Sequence, residues 1–254
     1  MQPDMPAISQ AQIKRIRSLR IKKFRDETHS FVAEGRKSVC ELLARFVPVL
    51  LVIRDDAPPL DGFLQIVRAN RRQMEQLSSL VTPTDYLAVF NIPEQTADNI
   101  VLPGRILALD GVQDPGNLGT IIRTCDWMGF NTVLCSPQTA DCYAPKVVQA
   151  TMGALARVRL VYGDLPSALR SLRQQGYELT GTTLDGDNVY ASDALRNAGK
   201  TVIVMGNEGN GITPEVKDML TQRITIPSFA REHVESLNVS IATAIILSEI
   251  RRKQ

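Results

Sequence analysis

Three short stretches of the 254-residue chain carry the side chains best placed for chemistry. The first, Asp114-Pro115-Gly116-Asn117-Leu118-Gly119-Thr120-Ile121-Ile122-Arg123-Thr124, holds an amide at Asn117 and a guanidinium at Arg123. The second, Gly206-Asn207-Glu208-Gly209-Asn210-Gly211-Ile212, sets Glu208 among three glycines, which permit positive φ and close backbone approach. The third begins at Ile226-Pro227 and closes with Glu235-Ser236-Leu237-Asn238-Val239-Ser240. A glycine-containing loop that leads from a strand into a helix presents backbone N–H groups to an anion. Metal chemistry is poorly supplied. His29 and His233 are the only histidines, and Cys40, Cys125, Cys135 and Cys142 form no CxxC pair, which speaks against zinc and against a disulfide framework. The glycine spacing is not GxGxxG, so a dinucleotide fold is poorly supported. Each stretch also has a plainer explanation. Ser236 or Asn238 serves as a helix N-cap, Arg123 as a surface arginine, and 206–211 as a glycine-rich turn.

The elements that must position these residues read as alternating strands and helices, which gives an α/β class. Residues 105–110 form a buried strand, and the helix after Asn117 turns Leu118, Ile121, Ile122, Cys125 and Met128 inward, with Arg123 outside that arc. Strands follow at 131–135, 158–161, 177–181, 200–205 and 223–226, with helices at 144–154 and 165–174. The strand at 177–181 ends in Gly181-Thr182-Thr183, at a carboxyl end where α/β sheets bind ligands. In the last helix Leu237, Ile241, Ala242, Ile245 and Ile246 recur at helical spacing and predict one buried face. The first part of the chain predicts a helix capped by Ser9 and running to Leu19, then a strand at 30–34. A helix at 36–45, a strand at 48–53, helix-like pieces at 62–67 and 70–80, and a strand at 86–90 follow. Residues 92–103 lack periodicity and contain two prolines, which places the domain boundary there.

Composition is that of an ordinary globular protein, 44% hydrophobic and 22% charged, with a net charge of only +2. No apolar run reaches the roughly 18 residues of a membrane helix, and the N-terminus lacks a basic-then-apolar leader, so a cytoplasmic protein with reduced thiols is expected. The charge is unevenly spread. Between Lys14 and Lys37 nine Lys or Arg residues, among them Lys14, Arg17, Lys22, Lys23, Arg25 and Arg36, face three acids, a cluster suited to phosphates or simply a solvated helix face.

Taken together, Asn117, Gly119 and Arg123, the loop Gly206-x-Glu208-x-x-Gly211-Ile212, and Ile226-Pro227 followed by Ser236-Leu237-Asn238 resemble the three motifs of the SpoU (TrmH-like) RNA 2′-O-methyltransferases, a branch of the SPOUT superfamily. Phe31-Val32-Ala33-Glu34-Gly35-Arg36, preceded by Lys22-Lys23-Phe24-Arg25, resembles the substrate-binding domain often found ahead of that catalytic domain. Two departures stand out. Gln149 and Thr151 replace a usual Arg and Ser, and the loop after Pro227 lacks the usual Met-x-Gly and is two residues longer.

The resemblance implies a SPOUT domain over 104–254, with a mostly parallel sheet and a deep trefoil knot. A small α/β RNA-binding domain of ribosomal-protein type precedes it over 1–97. It implies methyl transfer from S-adenosylmethionine to a ribose 2′-hydroxyl of ribosomal or transfer RNA by a homodimer that needs no metal. Arg123, Asn117, Glu208, Ser236 and Asn238 would form the catalytic set. Thr182, Gly206, Asn207, Gly211, Ile226, Ser236 and Leu237 would hold the cofactor. Lys14, Arg17, Lys22, Lys23, Arg25, Arg36 and Lys146 would meet RNA. The competing reading is a non-catalytic RNA-binding protein that keeps the knotted fold, favoured only by the altered loop after Pro227.

Overall fold

The computed structural model describes residues 5–94, 104–191, 199–230 and 236–252. Most of the expected boundary segment (95–103) and the stretch 231–235, which includes Glu235, lie outside the described residues. Two compact units divide the chain: Met1–Gln95 with Asp141–Arg157, and Thr96–Ala140 with Val158–Gln254.

The first unit contains β1 (Ser30–Glu34), β2 (Pro48–Arg54), β3 (Ile66–Ala69) and β4 (Tyr86–Asn91), arranged β1-β4-β2-β3. β4 runs antiparallel to β1 and β2, whereas β2 and β3 are parallel. Helices α1 (Gln10–Ser18), α2 (Lys22–Thr28), α3 (Arg36–Leu42) and α4 (Arg71–Leu77) accompany the sheet. α1 and α4 start alike. Ser9 and Asn70 are N-caps, each completed by a Gln at the third helical position into a capping box. The stretch 62–67 is not the helix-like piece its composition suggests. Gly62 sits at φ +92°, and Ile66 and Val67 pair with Leu51 and Val52 in β3.

Arg25 was expected at the RNA surface and is instead part of the core. Only 3% of its side chain is exposed. Its Nη2 and Nε donate to the Asp141 carboxylate at 2.6 and 3.1 Å, and its Nη1 donates to the Leu19 carbonyl at 2.8 Å. Nearby, the Tyr143 ring lies 4.9 Å from that of Phe31. Burial pushes the Tyr143 hydroxyl well above the ordinary tyrosine range.

The second unit is a six-stranded sheet, parallel throughout. Its strands are β5 (Arg105–Asp110), β6 (Thr132–Cys135), β7 (Arg159–Tyr162), β8 (Glu178–Asn188), β9 (Thr201–Gly206) and β10 (Gln222–Thr225), in the order β10-β8-β9-β5-β6-β7. β5 and β9 are buried along nearly their whole length, as their continuous apolar runs require in a parallel sheet. β8 runs past the expected end at Gly181. It leaves β9 there, bulges over 182–186, and rejoins β10 at Asp187. Gly186 permits the return, because a Cβ there would meet the Ile224 backbone at 2.5 Å.

Helices α6 (Pro145–Thr151), α7 (Leu165–Gln174) and α8 (Pro214–Lys217) lie between α5 (Pro115–Met128) and α9 (Val239–Arg252) in the chain, and α5 and α9 pack together. They are parallel: Asn238 reaches Asn117 at their N-terminal ends, and Arg251 Nε donates to the Met128 carbonyl at 2.6 Å at the other. The buried face of α9 is Val239, Thr243, Ile246, Leu247 and Ile250. That departs from the stripe read from the sequence, because Leu237 precedes the helix and Ile241 is 51% exposed.

Candidate active site

The three chemical stretches converge at the carboxyl ends of β5 and β9. Each is shaped by short-range rules. Asp114 caps α5, its Oδ1 accepting from Asn117 N at 2.8 Å, with Pro115 at the first helical position. Gly116 leaves room for that carboxylate, since a Cβ there would lie 2.9 Å from Asp114 Oδ1. After β9 the chain turns back sharply: Asn207 and Gly211 exchange backbone hydrogen bonds, and Gly211 has φ +68°. A Cβ on Gly206 would meet backbone atoms of Gly211 and Ile212 at 2.3 and 2.4 Å, so only glycine fits there. The loop is tied to β5 from both ends. Asn207 Nδ2 donates to the Gly111 carbonyl at 2.7 Å, and Thr213 N donates to buried Asp110 Oδ2, also at 2.7 Å.

A chain of side-chain bonds links the three stretches. Asn238 caps α9, its Oδ1 accepting from Ser240 N at 2.9 Å and Ser240 Oγ at 2.6 Å. That fixes the amide, so its Nδ2 donates to Asn117 Oδ1 at 2.9 Å. Asn117 Nδ2 in turn donates to Glu208 Oε1, also at 2.9 Å. Glu208 Oε2 faces Gln113 N at 3.5 Å. The carboxylate therefore closes a relay whose direction is set by the α9 cap. It sits where the N-terminal ends of two parallel helices bring partial positive charge.

Asn117, Glu208 and Asn238 are thus brought together. Asn207, Gly206 and Gly211 lie in the adjoining loop, and Thr182 stands where β8 leaves β9, its hydroxyl donating to the Val204 carbonyl at 3.2 Å. Ile226 follows the end of β10 and is half-buried, while Ser236 and Leu237 are exposed just before the Asn238 cap. Arg123 is not part of the relay. It lies on the exposed face of α5, along with Thr120 and Trp127, and has no hydrogen-bond or ion-pair partner among the described residues. Among the candidate RNA residues, Lys14, Arg17, Lys22, Lys23, Arg36 and Lys146 are exposed. Asp110 was missed by sequence reasoning, and its only signal was a carboxylate directly after the apolar run Ile106–Leu109. No group of three or more His, Cys, Asp or Glu side chains among the described residues could hold a metal.

The backbone at these loops is open. Gly209 and Gly211 are exposed, and nothing lies within 4 Å of a Cβ placed on Gly211. Leu237, next in sequence to Asn238 of the relay, is an apolar side chain left 47% exposed.

A six-stranded parallel sheet with glycine loops laced together at its carboxyl end carries the site, in a chain whose other unit is a smaller α/β fold. The chain belongs to the SpoU rRNA methylase family, whose model matches residues 104–248. An MRM3-like substrate-binding domain matches residues 10–88. The chain is 29% identical over 244 residues to the 23S rRNA (guanosine(2553)-2′-O)-methyltransferase RlmP of Bacillus subtilis, covering 94% of this chain and 96% of that protein. A solved structure of a TrmH-family protein from Porphyromonas gingivalis superposes with a TM-score of 0.87 at 40% identity, over 97% of this chain and 99% of the other. An AdoMet-bound rRNA methyltransferase from Sinorhizobium meliloti gives a TM-score of 0.85 at 29% identity, over 98% and 97% of the two chains.

Proposed function

We propose that this protein methylates a ribose 2′-hydroxyl in large-subunit ribosomal RNA. As a SpoU-family member it is an S-adenosylmethionine-dependent RNA 2′-O-methyltransferase. The choice of 23S rRNA rests on RlmP, which is similar to this chain over nearly its full length. The observation that carries the catalytic reading is the Asn238–Asn117–Glu208 relay, because it joins all three motifs in one bonded unit. When bound, S-adenosylmethionine supplies a methyl group already activated as a sulfonium. The protein's task is then to orient the hydroxyl and manage its proton, and orientation can be worth roughly 7–11 kcal/mol.

Main-chain groups at Gly206, Ile226 and Leu237 hold adenine and ribose in this reading, with Thr182, Asn207, Gly211 and Ser236 around them. The relay keeps the 117 and 208 loops in register. Arg123 stabilises the developing alkoxide through its planar guanidinium fork, and a phosphate oxygen of the RNA substrate accepts the hydroxyl proton. Its exposure on α5 fits a site completed by a second copy. Trp127, 87% exposed one turn further on, and Ile241 on α9 supply the apolar surface for such a homodimer. The trefoil knot and a cytoplasmic site of action complete the proposal; no helix among the described residues is long and apolar enough to cross a membrane.

Separated 23S, 16S and transfer RNA, each incubated with labelled methyl donor, test the target. Label confined to 23S supports the proposal, and label confined to transfer RNA overturns it. Trp127 is the only tryptophan, so its emission reports the dimer directly. A blue shift with rising protein concentration is expected, and a red, concentration-independent emission alongside a monomeric sedimentation mass would remove the dimer.

A further inference from the structure

The basic residues of the first unit are not equivalent once folded. On α2 each lysine is matched by an acid one turn on. Lys22 pairs with Asp26 at 2.7 Å and Lys23 with Glu27 at 3.8 Å, so that face carries little net charge. Arg25 is spent inside the fold on Asp141. Arg20, beyond the end of α1, bonds the carbonyls of Gln76, Leu77 and Ser78 at the end of α4.

A different pair of helices keeps its charge. The segments entering α1 and α4 are bonded side by side, Ile8 N to the Arg68 carbonyl at 2.8 Å and Arg68 N to the Pro6 carbonyl at 2.9 Å. With Arg20 joining the far ends, α1 and α4 lie parallel and adjacent. Lys14, Arg15 and Arg17 project from α1 and Arg71 and Arg72 from α4, all exposed. Of these five cations only Arg71 has an ion-pair partner among the described residues, Glu75 at 3.1 Å. The remaining residues of the two helices are neutral, so five cations face one carboxylate. Arg71 and Arg72 lie more than thirty residues beyond the basic cluster visible in the sequence, and only the fold joins them to Lys14 and Arg17.

We propose that the paired surface of α1 and α4, with Arg71 and Arg72 as members, is the face that grips the phosphodiester backbone of the RNA substrate, and that α2 is not. The inference rests on the RNA-methyltransferase reading and assigns its substrate surface. Its chemistry is electrostatic and sequence-independent. Each lost phosphate contact lowers the slope of log affinity against log salt by about 0.7 to 0.9.

The test compares Arg71→Gln/Arg72→Gln with Lys22→Gln/Lys23→Gln in the full-length protein. Binding to an unmodified 23S rRNA transcript is measured by fluorescence anisotropy from about 50 to 200 mM salt, without methyl donor, and methyl transfer is followed separately. Glutamine keeps helix propensity at these exposed sites, and circular dichroism confirms folding. The α4 pair is expected to weaken binding about tenfold and to reduce the salt slope by about 1.4–1.8. KM for RNA rises and kcat at saturating RNA stays near that of the unaltered protein. The α2 pair is expected to change affinity less than about twofold. The reverse ranking, or equal losses in both pairs, overturns the inference. Absence of methyl transfer to any RNA by the unaltered protein would instead refute the enzyme reading, and the binding comparison would still decide which face holds RNA.

Discussion

The polarity of the relay makes a specific demand. Asn117 must accept from Asn238 and donate to Glu208. Asn117→Asp keeps the acceptor and deletes the donor, so it breaks only the Glu208 side and sets two carboxylates facing each other. Two unit charges 4 Å apart repel by about 1 kcal/mol in water and about 4 kcal/mol at an effective dielectric of 20. Glu208 is exposed and can swing into solvent, so the repulsive part is relieved and the lost hydrogen bond dominates. A hydrogen bond to a charged group is worth about 1.5–3 kcal/mol, and exposure argues for the lower end, roughly a tenfold loss. Glu208→Gln restores a donor opposite the new carboxylate, since its amide can donate to that group while the group still accepts from Asn238. The double variant should therefore bind S-adenosylmethionine, by isothermal titration, within about threefold of the unaltered protein, whereas Asn117→Asp alone should bind about tenfold more weakly. If kcat stays low while cofactor binding recovers, the Glu208 charge is needed beyond ordering. A double variant no better than the sum of its single changes would refute the relay as the element that orders the site.

Three further outcomes are expected. Gly206→Ala forces a Cβ to 2.3 Å from the Gly211 backbone; it should destabilise the protein by about 1–3 kcal/mol in urea titration and lower cofactor affinity at least tenfold, and a variant with unchanged affinity would show that the turn is not needed. Asp141→Ala leaves the buried Arg25 guanidinium without its counter-ion; breaking such a pair costs about 3–5 kcal/mol, and the 17% exposure of Asp141 puts the expected loss near 3 kcal/mol, read by thermal or urea unfolding. Burial raises the Tyr143 hydroxyl above its unfolded value of roughly 10, so its contribution is complete below that pH and is lost as pH climbs through the folded value. Stability should thus fall as pH rises above about 10, and Tyr143→Phe should flatten that fall; an unchanged alkaline profile would count against the buried hydroxyl as its cause.

Much of the second unit could be read from sequence because local rules and tertiary demands coincide there. The run Arg105-Ile106-Leu107-Ala108-Leu109-Asp110 has no other use than a doubly buried strand, and Asp114-Pro115 marks a helix start by capping alone. What escaped depends on contacts distant in sequence. The length of β8 is set by a bulge that rejoins β10. The fate of Arg25 is set by Asp141, 116 residues away, and charge in a sequence carries no sign of burial. The exposure of Ile241 follows from the packing of α9 on α5, which turns Val239, Thr243, Ile246, Leu247 and Ile250 inward instead. The candidate site was legible as three stretches of residues. Its bonding order, Asn238 to Asn117 to Glu208, was not, because amide direction is fixed by a cap in one helix and a loop after a different strand. Nor did spacing reveal that Arg123 stands apart from the relay.

We propose that methyl transfer to the ribose oxygen depends on Arg123. The most direct test is mass spectrometry of nucleosides from 23S rRNA incubated with S-adenosylmethionine and either the unaltered protein or Arg123→Ala. A single 2′-O-methylated nucleoside is expected with the former and none with the latter, although Arg123→Ala still binds the cofactor. A methyl group on a base, or undiminished 2′-O-methylation by Arg123→Ala, would contradict the proposal.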